Sequence, residues 1–462
     1  MKKEYLYIFI VALLVRLIFF WNAKPWDYDS YNSNYNNSDQ KSYYTVASNL
    51  YSNQAYSLSN SAPYKPDNFI TPGYPLFLLS IFLISGGPGF ITPVIISLVL
   101  SAITSVFISY LVLIFLQKNN FESANKYSIV GGLLYSLDPV SSFYSVTLMT
   151  ENIFLLCFVV FLIALVKIVM NPNVLKNYFY LSFVSGILLL TRPSFLPTFG
   201  ITVLLLFVLF LCNKKIALVR NILMYILLVF FLVFPWLLRN KIEFGRYELS
   251  SVGAYSIYIS HVFLVESEKT GITFDEFEKK LEDLGKGKKG SMTFEDMDYY
   301  STKVKECFVE NPKLFVSVYL KTVLFSIISP STQLYTKAFG LKQTKININS
   351  EFSKKGFFVV LKDYIENSSI LIILWLYSSL FLFSIYSLSI YLIFKMRKRK
   401  VDILIYYLTL NFIIIIAMNG LVTGAVRYRI PAIVSLIPIA MLGLAILSNS
   451  KNKSIISESS KC

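Results

Sequence analysis

The run ITPVIISLVLSAITSVFISYLVLIFL, which extends from Ile91 to Leu116, decides the fold of this chain. It contains no charged side chain, and as an α-helix it is longer than the roughly 30 Å hydrocarbon core of a bilayer. Nine further apolar runs are suited to cross a membrane: Leu6–Trp21, Tyr127–Tyr144, Asn152–Met170, Tyr178–Leu190, Leu196–Cys212, Asn221–Leu238, Ser369–Phe394, Ile403–Met418 and Ala432–Leu447. The sequence therefore predicts an all-α polytopic membrane protein with about ten transmembrane helices.

Composition supports a membrane protein and argues against a soluble one. Of the 462 residues, 55% are hydrophobic and only 15% are charged, and the mean hydropathy is +0.58. A soluble protein of this length needs more charge to cover its surface. The net charge of +16 would suit nucleic acid, but the lysines and arginines lie mostly in short loops between apolar runs. There they act as topology signals and contact anionic lipid headgroups.

Basic clusters between the runs predict the orientation of the chain. If all ten runs cross, every cluster falls on the same side of the membrane, which the positive-inside rule assigns to the cytoplasm. Both termini are then cytoplasmic, and the protein is expected in the plasma or inner membrane of the cell. The clusters are Lys2 with Lys3, Lys118 with Lys126, Lys176, Lys214 and Lys215 with Arg220, the run from Lys395 to Lys400, and Lys451 with Lys453.

Two weaker apolar stretches, Pro75–Ile84 and Leu314–Ile328, are predicted not to cross. The first is short for a span and is followed by two glycines and a proline, and the second contains Lys321. We expect both to be interfacial or re-entrant helices on the extracytoplasmic side. If both cross instead, the bundle has twelve spans, and Lys118 and Lys126 lie outside.

This topology divides the chain into four parts. Residues 1–240 form a transmembrane module that includes a first extracytoplasmic loop at 22–90. Residues 241–368 form a second extracytoplasmic loop, in which a charged stretch from Glu266 to Glu310 predicts amphipathic helices. Residues 369–447 contain the last three transmembrane helices, and residues 448–462 form a cytoplasmic tail.

Several arginines lie where membrane physics disfavours them. Arginine is expected to be scarce outside the membrane, yet five arginines map to extracytoplasmic ends or loops and one lies inside the first run. A single one is best explained by snorkelling or a structural ion pair, whereas an array of guanidinium groups suits a phosphate or diphosphate. These arginines are Arg16, Arg192, Arg239, Arg246, Arg427 and Arg429.

Three acidic residues map to the same side of the membrane. Asp39 lies in the first loop, Glu151 at the start of the fourth run, and Asp138 near the end of the third. Each has a structural explanation: N-capping for Asp39, interaction with the helix dipole for Glu151, and an Asp-Pro turn, which we prefer, for Asp138. Because His261 is the only histidine, a His-dependent triad or multi-histidine metal site cannot be built. No Gly-x-x-x-x-Gly-Lys loop or dinucleotide fingerprint occurs.

Short motifs are spread along most of the chain in a definite order. They are Ser38-Asp39-Gln40 with Tyr43-Tyr44, Thr71-Pro72-Gly73-Tyr74-Pro75-Leu76-Phe77, Leu148-Met149-Thr150-Glu151, Leu190-Thr191-Arg192-Pro193, Phe234-Pro235-Trp236-Leu237-Leu238-Arg239-Asn240 and Arg427-Tyr428-Arg429-Ile430-Pro431. In this order they resemble the membrane glycosyltransferases of the GT-C fold, in particular glycosyltransferase family 39, which includes protein O-mannosyltransferases and the lipid A aminoarabinose transferase. The first motif departs from the protein mannosyltransferases because it has a single acid, Asp39, instead of an adjacent acidic pair.

The resemblance implies a GT-C-like bundle with extracytoplasmic juxtamembrane helices and a catalytic module at residues 1–240. It implies inverting transfer of a sugar from a polyprenyl-phosphate carrier to an acceptor on the extracytoplasmic face. Asp39 is then the base for the acceptor hydroxyl, and Glu151 positions the acceptor or the partners of Asp39 or, as the less favoured alternative, is itself the base. The other expected site residues are Arg192, Arg239, Arg427 and Arg429 for the donor phosphate, and Tyr74 and Trp236 for the sugar. No metal ligand is assigned, and a divalent cation stays open as a cofactor.

Other interpretations stay open at this stage. For Tyr74 and Trp236, a place in the interfacial aromatic belt is the alternative, and for Trp236 it is an equal one. A flippase or other transporter of lipid-linked sugars would also need many spans and basic residues, although here the charged residues gather at one face instead of lining the middle of the membrane. An oligosaccharide polymerase or ligase would use similar chemistry on longer glycans. The acceptor, whether lipid, glycan or protein, is not specified.

Overall fold

The structure, a computed structural model, describes residues 3–27, 31, 38–284, 294–331, 334–335, 338–339, 362, 369–396, 402–422 and 426–448. Within these residues the protein is helical and contains no β-strand. Lys2, the basic run from Arg397 to Lys400 and the tail after Ser448 lie outside the described residues, as do parts of both large loops.

The α-helices follow one another with short connections in most of the chain, as expected for a bundle. In chain order they are α1 Lys3–Ala23, α2 Ser38–Asn53, α3 Gly73–Ser85, α4 Ile91–Lys118, α5 Ala124–Ser136, α6 Pro139–Tyr144, α7 Glu151–Met170, α8 Leu175–Thr191, α9 Leu196–Asn213, α10 Ile216–Phe244, α11 Val252–Ile257, α12 Phe263–Thr270, α13 Phe274–Asp283, α14 Phe294–Glu310, α15 Pro312–Ile328, α16 Ser369–Met396, α17 Ile403–Leu421 and α18 Val426–Ser448. A short 3₁₀ helix, Pro193–Phe195, precedes α9, and a π-helical turn, Tyr258–Val262, joins α11 to α12.

Eight of the described helices are long and apolar enough to cross a membrane. They are α1, α4, α7, α9 with its 3₁₀ turn, α10, α16, α17 and α18, and they coincide with eight of the ten predicted spans. The prediction of an all-α polytopic membrane protein is therefore confirmed.

Of the remaining two predicted spans, one is divided into two helices and the other lies in a single shorter helix. The run Tyr127–Tyr144 is divided into α5 and α6 because Asp138 caps the start of α6: its carboxylate accepts the backbone N–H of Ser141 at 2.8 Å, and Pro139 occupies the first turn. The Asp-Pro pair thus acts as a helix boundary, as predicted. The run Tyr178–Leu190 lies within α8, which has 17 residues.

Contacts between helix ends show how the chain is threaded. Lys118, the last residue of α4, forms an ion pair with Asp402, just before α17, with a distance of 2.6 Å between Nζ and Oδ2. Tyr127 near the start of α5 is hydrogen-bonded to Ser448 at the end of α18. These ends therefore share one end of the bundle, which we call the lysine end. A twelve-span arrangement would place Lys118 and Asp402 at opposite ends.

The last helix, α18, forms the centre of the bundle. In the most apolar 18-residue stretch of α18, 89% of the residues are buried, whereas in the corresponding stretches of α1 and α10 only 28% are buried. It packs against α4, α5, α16 and α17. Because Ser448 lies at the lysine end, the Arg-Tyr-Arg segment at the start of α18 lies at the opposite end of the bundle.

A second hydrophobic cluster lies outside the transmembrane bundle and joins the two large loops. It contains Val46 of α2 and Phe69 of the first loop together with Tyr255, Phe277 and Tyr300 of the second. Hydrogen bonds connect the same segments: the backbone N–H of Ser251 donates to the carbonyl of Asn68 at 3.0 Å, and the Ser250 hydroxyl donates to the carbonyl of Phe69 at 2.6 Å. The described parts of the two loops thus pack together as one unit.

The chain bends by 109° between α14 and α15, and α15 then packs against the bundle. The hydroxyl of Thr322 donates to the carbonyl of Gly420 at 2.7 Å, and the hydroxyl of Tyr319 donates to that of Ala417 at 3.2 Å. Helix α15 therefore packs along the end of α17 that is farther from Asp402.

Candidate functional site

Four of the predicted site residues meet at the end of the bundle opposite the lysine end. Asp39 lies in the first turn of α2, Glu151 at the start of α7, Arg192 just after α8, and Arg427 at the start of α18. Nη2 of Arg427 donates to Oδ2 of Asp39 at 2.8 Å. Arg192 forms an ion pair with Glu151. We call these four residues the acid–arginine cluster.

Tyr428 connects the two ion pairs. Its ring centroid lies 4.7 Å from the guanidinium carbon of Arg427 and 5.5 Å from that of Arg192. Arg427 also donates to the Tyr428 hydroxyl at 2.7 Å. A cation is attracted to the electron-rich face of an aromatic ring at such distances. The two pairs are therefore parts of a single site, and Tyr428 belongs to it although the sequence alone assigns that residue no role.

The two ion pairs differ in their access to solvent. The side chain of Glu151 is only 1% exposed and that of Arg192 10%, while Asp39 is 30% and Arg427 19% exposed. Arg192 is held further by a hydrogen bond from Nε to the Thr150 hydroxyl at 2.6 Å. A buried charge needs a partner of this kind because desolvation is costly. The Glu151–Arg192 pair is thus the fixed part of the cluster, and the Asp39–Arg427 pair is the accessible part.

Gln40, the neighbour of Asp39, connects α2 to the segment that leads into Glu151. Its side-chain carbonyl accepts the backbone N–H of Leu148 at 2.9 Å and the Tyr31 hydroxyl at 3.1 Å. Gln40 is 3% exposed. It holds Asp39 close to Glu151, a role that the sequence signalled only through its place beside Asp39 in the first motif.

The start of α3 packs closely against the end of α8 and so positions Arg192. The Thr71 hydroxyl donates to the carbonyl of Thr191 at 3.2 Å. A Cβ atom added to Gly73 would lie 2.7 Å from the carbonyl oxygen of Leu190 and 2.6 Å from the Thr191 hydroxyl. Only glycine allows this approach. Two of the motifs identified in the sequence are therefore in direct contact.

Replacing Gly73 with alanine should force α3 away from α8 and lower the thermal unfolding midpoint of the purified protein. The expected cost is about 1–3 kcal/mol, as for other overpacked sites. Gly200→Ala in α9 is the control, because no atom of another helix lies within 4 Å of the added Cβ and alanine favours a helix by up to about 1 kcal/mol. Equal midpoints for the two variants would contradict the close approach.

Tyr74 lies behind the cluster. It is completely buried, and its ring meets that of Tyr43 edge-on at 5.1 Å. Tyr43 is one turn after Asp39 in α2. Burial raises the pKa of Tyr43 above its ordinary value, Asp39 raises it further, and Arg192 and Arg427 oppose that shift. Tyr43 is thus within electrostatic range of the cluster, and Tyr74 supports it from the interior.

Two predicted site residues, Arg239 and Trp236, lie in a separate group. Arg239 donates from Nη1 to the carbonyl of Asp67 at 2.6 Å, and its guanidinium stacks on the Trp236 ring at 4.9 Å. Trp236 donates from Nε1 to the carbonyl of Leu249 at 2.8 Å. Their contacts connect the end of α10 to the two loops and do not reach the acid–arginine cluster.

Arg429 and Arg16 are buried, and both donate hydrogen bonds to carbonyl or hydroxyl groups of the protein itself. Arg429, 3% exposed, donates from Nη1 to the carbonyls of Ser326 at 3.0 Å and Ser329 at 2.8 Å. It therefore satisfies carbonyls at the end of α15. Arg16, which is not exposed, donates to the Ser101 hydroxyl at 2.7 Å and to the carbonyl of Ser136 at 3.0 Å.

Asp67, beside Arg239, gives the loop unit a pH dependence. Burial raises the pKa of its carboxyl group to about 6, while the N–H groups of Ile70 and Phe69 and the charge of Arg239 oppose the shift. The folded protein therefore retains this proton at a pH where the unfolded chain has lost it. As a result, Asp67 should lower the stability progressively as the pH rises from about 4 to about 6.

Asp67→Asn should remove the fall in stability that the titration of Asp67 causes between about pH 4 and pH 6. The asparagine amide still accepts a hydrogen bond but does not titrate in this range. Thermal unfolding midpoints between about pH 4 and pH 7 test this difference. Asp298→Asn is the control, since Asp298 is exposed and Arg246 lowers its pKa. Parallel curves for wild type and Asp67→Asn would show that Asp67 does not titrate in this range.

A metal site is not evident in the part of the chain that the structure describes. These residues contain no group of three or more His, Cys, Asp or Glu side chains that could hold a metal ion. Asp39 and Glu151 are each paired with an arginine.

Comparison with known proteins gives only distant similarities. No protein-family model matches the chain, and no curated protein matches it significantly. Two similar solved structures are the archaeal oligosaccharyltransferase AglB from Archaeoglobus fulgidus in complex with an inhibitory peptide and a dolichol-phosphate, with a TM-score of 0.47 and 12% identity, and the Archaeoglobus fulgidus oligosaccharyltransferase in the apo form, with a TM-score of 0.43 and 13% identity.

Each of these similarities covers 99% of this chain and 53% of the other chain. This chain therefore spans about half the length of the two enzymes. At this level of similarity, neither activity nor ligands transfer from them to this protein.

Proposed function

We propose that this protein is a membrane glycosyltransferase that moves a sugar from a polyprenyl-phosphate carrier to an acceptor hydroxyl, with inversion at the anomeric carbon. The observation that carries the proposal is the convergence of Asp39, Glu151, Arg192 and Arg427. Four segments that are far apart in the sequence bring two acids and two arginines together at one end of a membrane bundle. The order of the motifs, which resembles GT-C glycosyltransferases, supports the same function.

The chemistry needs a phosphate site and a base. A lipid phosphate leaves readily once its developing charge is neutralised, and guanidinium groups can do this. In the transfer step the acceptor oxygen bonds to the anomeric carbon, the bond between that carbon and the phosphate oxygen breaks, and the acceptor proton passes to the base. The products are the glycosylated acceptor and polyprenyl phosphate.

The difference in exposure supports different roles for the two acids. Asp39 is accessible, so we assign it as the base, while the buried Glu151 fixes Arg192 beside it. Arg192 and Arg427 are the proposed phosphate ligands. In this proposal Arg239, Arg429 and Trp236 have structural roles, because their polar groups are engaged by loop and helix carbonyls.

The site is proposed to face the extracytoplasmic side of the cell membrane. Support comes from the positive-inside rule, since the lysine end lies at the other end of the bundle from the cluster. An outer site near the interface would let a lipid-linked donor present its phosphate while its chain stays in the bilayer.

Mass spectrometry of surface glycans, lipids and proteins, with and without the gene, tests this function. We expect one glycosyl mass to disappear from one acceptor class and to return with the wild-type gene. A flippase predicts a different result in a second arm: donor supplied on the outer leaflet is consumed by a transferase and unchanged by a flippase. Loss of a long glycan instead of a single sugar would indicate a polymerase or ligase.

A further inference from the structure

Arg427 and Arg192 are bound to the protein in different ways. Arg192 is 9% exposed overall, pairs with Glu151, donates to Thr150 and stacks on Phe154 at 5.1 Å. Arg427 pairs with the accessible Asp39 and with the hydroxyl of its own neighbour Tyr428. Arg427 is therefore the cluster arginine that can change partners without leaving a fully buried acid behind.

Asp39 and a phosphate would make opposing demands on Arg427. A phosphodiester shares one negative charge between two oxygens and, like a carboxylate, can accept two parallel hydrogen bonds from a guanidinium group. While Arg427 donates to Asp39, it stabilises the ionised carboxylate and makes it a poorer proton acceptor. An enzyme that needs Asp39 as a base therefore gains if Arg427 leaves it when the phosphate arrives.

We propose that Arg427 is shared between Asp39 and the donor phosphate, so that occupancy of the donor site releases Asp39 to accept the acceptor proton. This inference rests on the proposed function. In the donor-free protein Arg427 holds Asp39, and with donor bound it turns to the phosphate while the Tyr428 ring continues to support its guanidinium. Donor binding then precedes productive deprotonation of the acceptor.

The sharing predicts an effect on binding that does not depend on catalysis. Asp39→Asn removes the negative charge that competes for Arg427 and leaves only a weaker, neutral acceptor, so it should tighten the binding of a lipid phosphate about ten-fold. Arg427→Gln should weaken binding by a similar factor, and adding Asp39→Asn to Arg427→Gln should then change nothing. Arg427→Lys, which keeps the charge, should restore part of the affinity.

Isothermal titration of the full-length protein in detergent with farnesyl phosphate, at one fixed neutral pH, measures these affinities, and farnesol reports binding of the lipid chain alone. The control pair is Arg246→Gln and Asp298→Asn, an exposed arginine–aspartate pair outside the cluster. These two variants should bind farnesyl phosphate as the wild type does. Thermal unfolding verifies that each variant is folded, and Asp39→Ser replaces Asp39→Asn if the latter is not.

Two results would overturn the inference. Folded Asp39→Asn protein that binds no more tightly than wild type shows that Asp39 does not compete for Arg427. Tightening that persists in the Arg427→Gln background shows a general effect of removing a negative charge. In both cases the proposed function stands if Asp39→Asn also loses transfer. If the wild type binds farnesyl phosphate no better than farnesol, the proposed donor site itself is wrong.

Discussion

Asp39→Asn should reduce sugar transfer by a factor of about 10²–10⁴, the usual contribution of a positioned general base. Asparagine has nearly the shape of aspartate and can still accept the hydrogen bond from Arg427. It cannot take the acceptor proton. The loss should therefore appear in the rate of transfer with bound substrates, without a loss of lipid-phosphate binding.

The matched control for this variant is Asp298→Asn. Asp298 is also paired with an arginine, Arg246, but it lies on the exposed surface of α14. Transfer by this variant should equal that of the wild type. Near-normal turnover of Asp39→Asn, with both proteins folded, would remove Asp39 from the role of base.

Breaking the Glu151–Arg192 pair should have the largest effect on stability. Arg192→Gln leaves the carboxylate of Glu151 buried without its cation, and Glu151→Gln leaves the guanidinium without its anion. Loss of one partner of a buried pair typically costs about 3–5 kcal/mol. Each single variant should therefore show a much lower thermal unfolding midpoint and a lower yield of folded protein.

The double variant Glu151→Gln with Arg192→Gln separates stability from function. Because two neutral amides leave no unpaired charge, it should be more stable than either single variant. It should nevertheless be inactive, since it lacks a phosphate ligand. If the single variants unfold at the wild-type temperature, the pair is not the fixed part of the site. If the double variant transfers sugar, Arg192 does not bind the donor.

Much of the fold followed from hydrophobic pattern, and the exceptions have local causes. Long apolar runs specify helices, because in lipid a single segment can form all its backbone hydrogen bonds only as an α-helix. The division between α5 and α6 depends on one capping carboxylate, that of Asp138. In the sequence, the long apolar run around Asp138 predicts a single span and hides this boundary. The packing of the two loops into one unit depends on contacts between residues about 180 positions apart, such as Asn68 and Ser251. Such contacts leave no periodic signal.

The sequence singles out the four charged residues of the acid–arginine cluster, together with others that lie elsewhere, and it does not show how they pair. Asp39, Glu151, Arg192 and Arg427 stood out because charged groups are costly near a membrane. Arg429 stood out for the same reason, but it donates to the carbonyl of Ser326, about 100 positions earlier in the chain. A sequence does not show which guanidinium is already engaged by backbone carbonyls.

Residues that support the cluster were harder to predict. Gln40 and Tyr428 are uncharged, so membrane energetics gives no reason to single them out. Each could equally have a common structural place: Gln40 on the surface of a helix and Tyr428 in an interfacial aromatic belt. Their importance comes from hydrogen bonds and ring contacts across the fold. Their one signal was adjacency to Asp39 and Arg427.

The most direct test of the central claim is the fate of the donor in the presence of purified protein. The protein is incubated in detergent with a polyprenyl-phosphate-linked sugar and an acceptor-containing membrane extract, and the lipids are analysed by mass spectrometry. Wild type should release polyprenyl phosphate and add one glycosyl mass to an acceptor, and Asp39→Asn should do neither. If wild type leaves every donor intact with every extract tested, or if Asp39→Asn cleaves the donor as fast as wild type does, the proposed transfer reaction with Asp39 as its base is wrong.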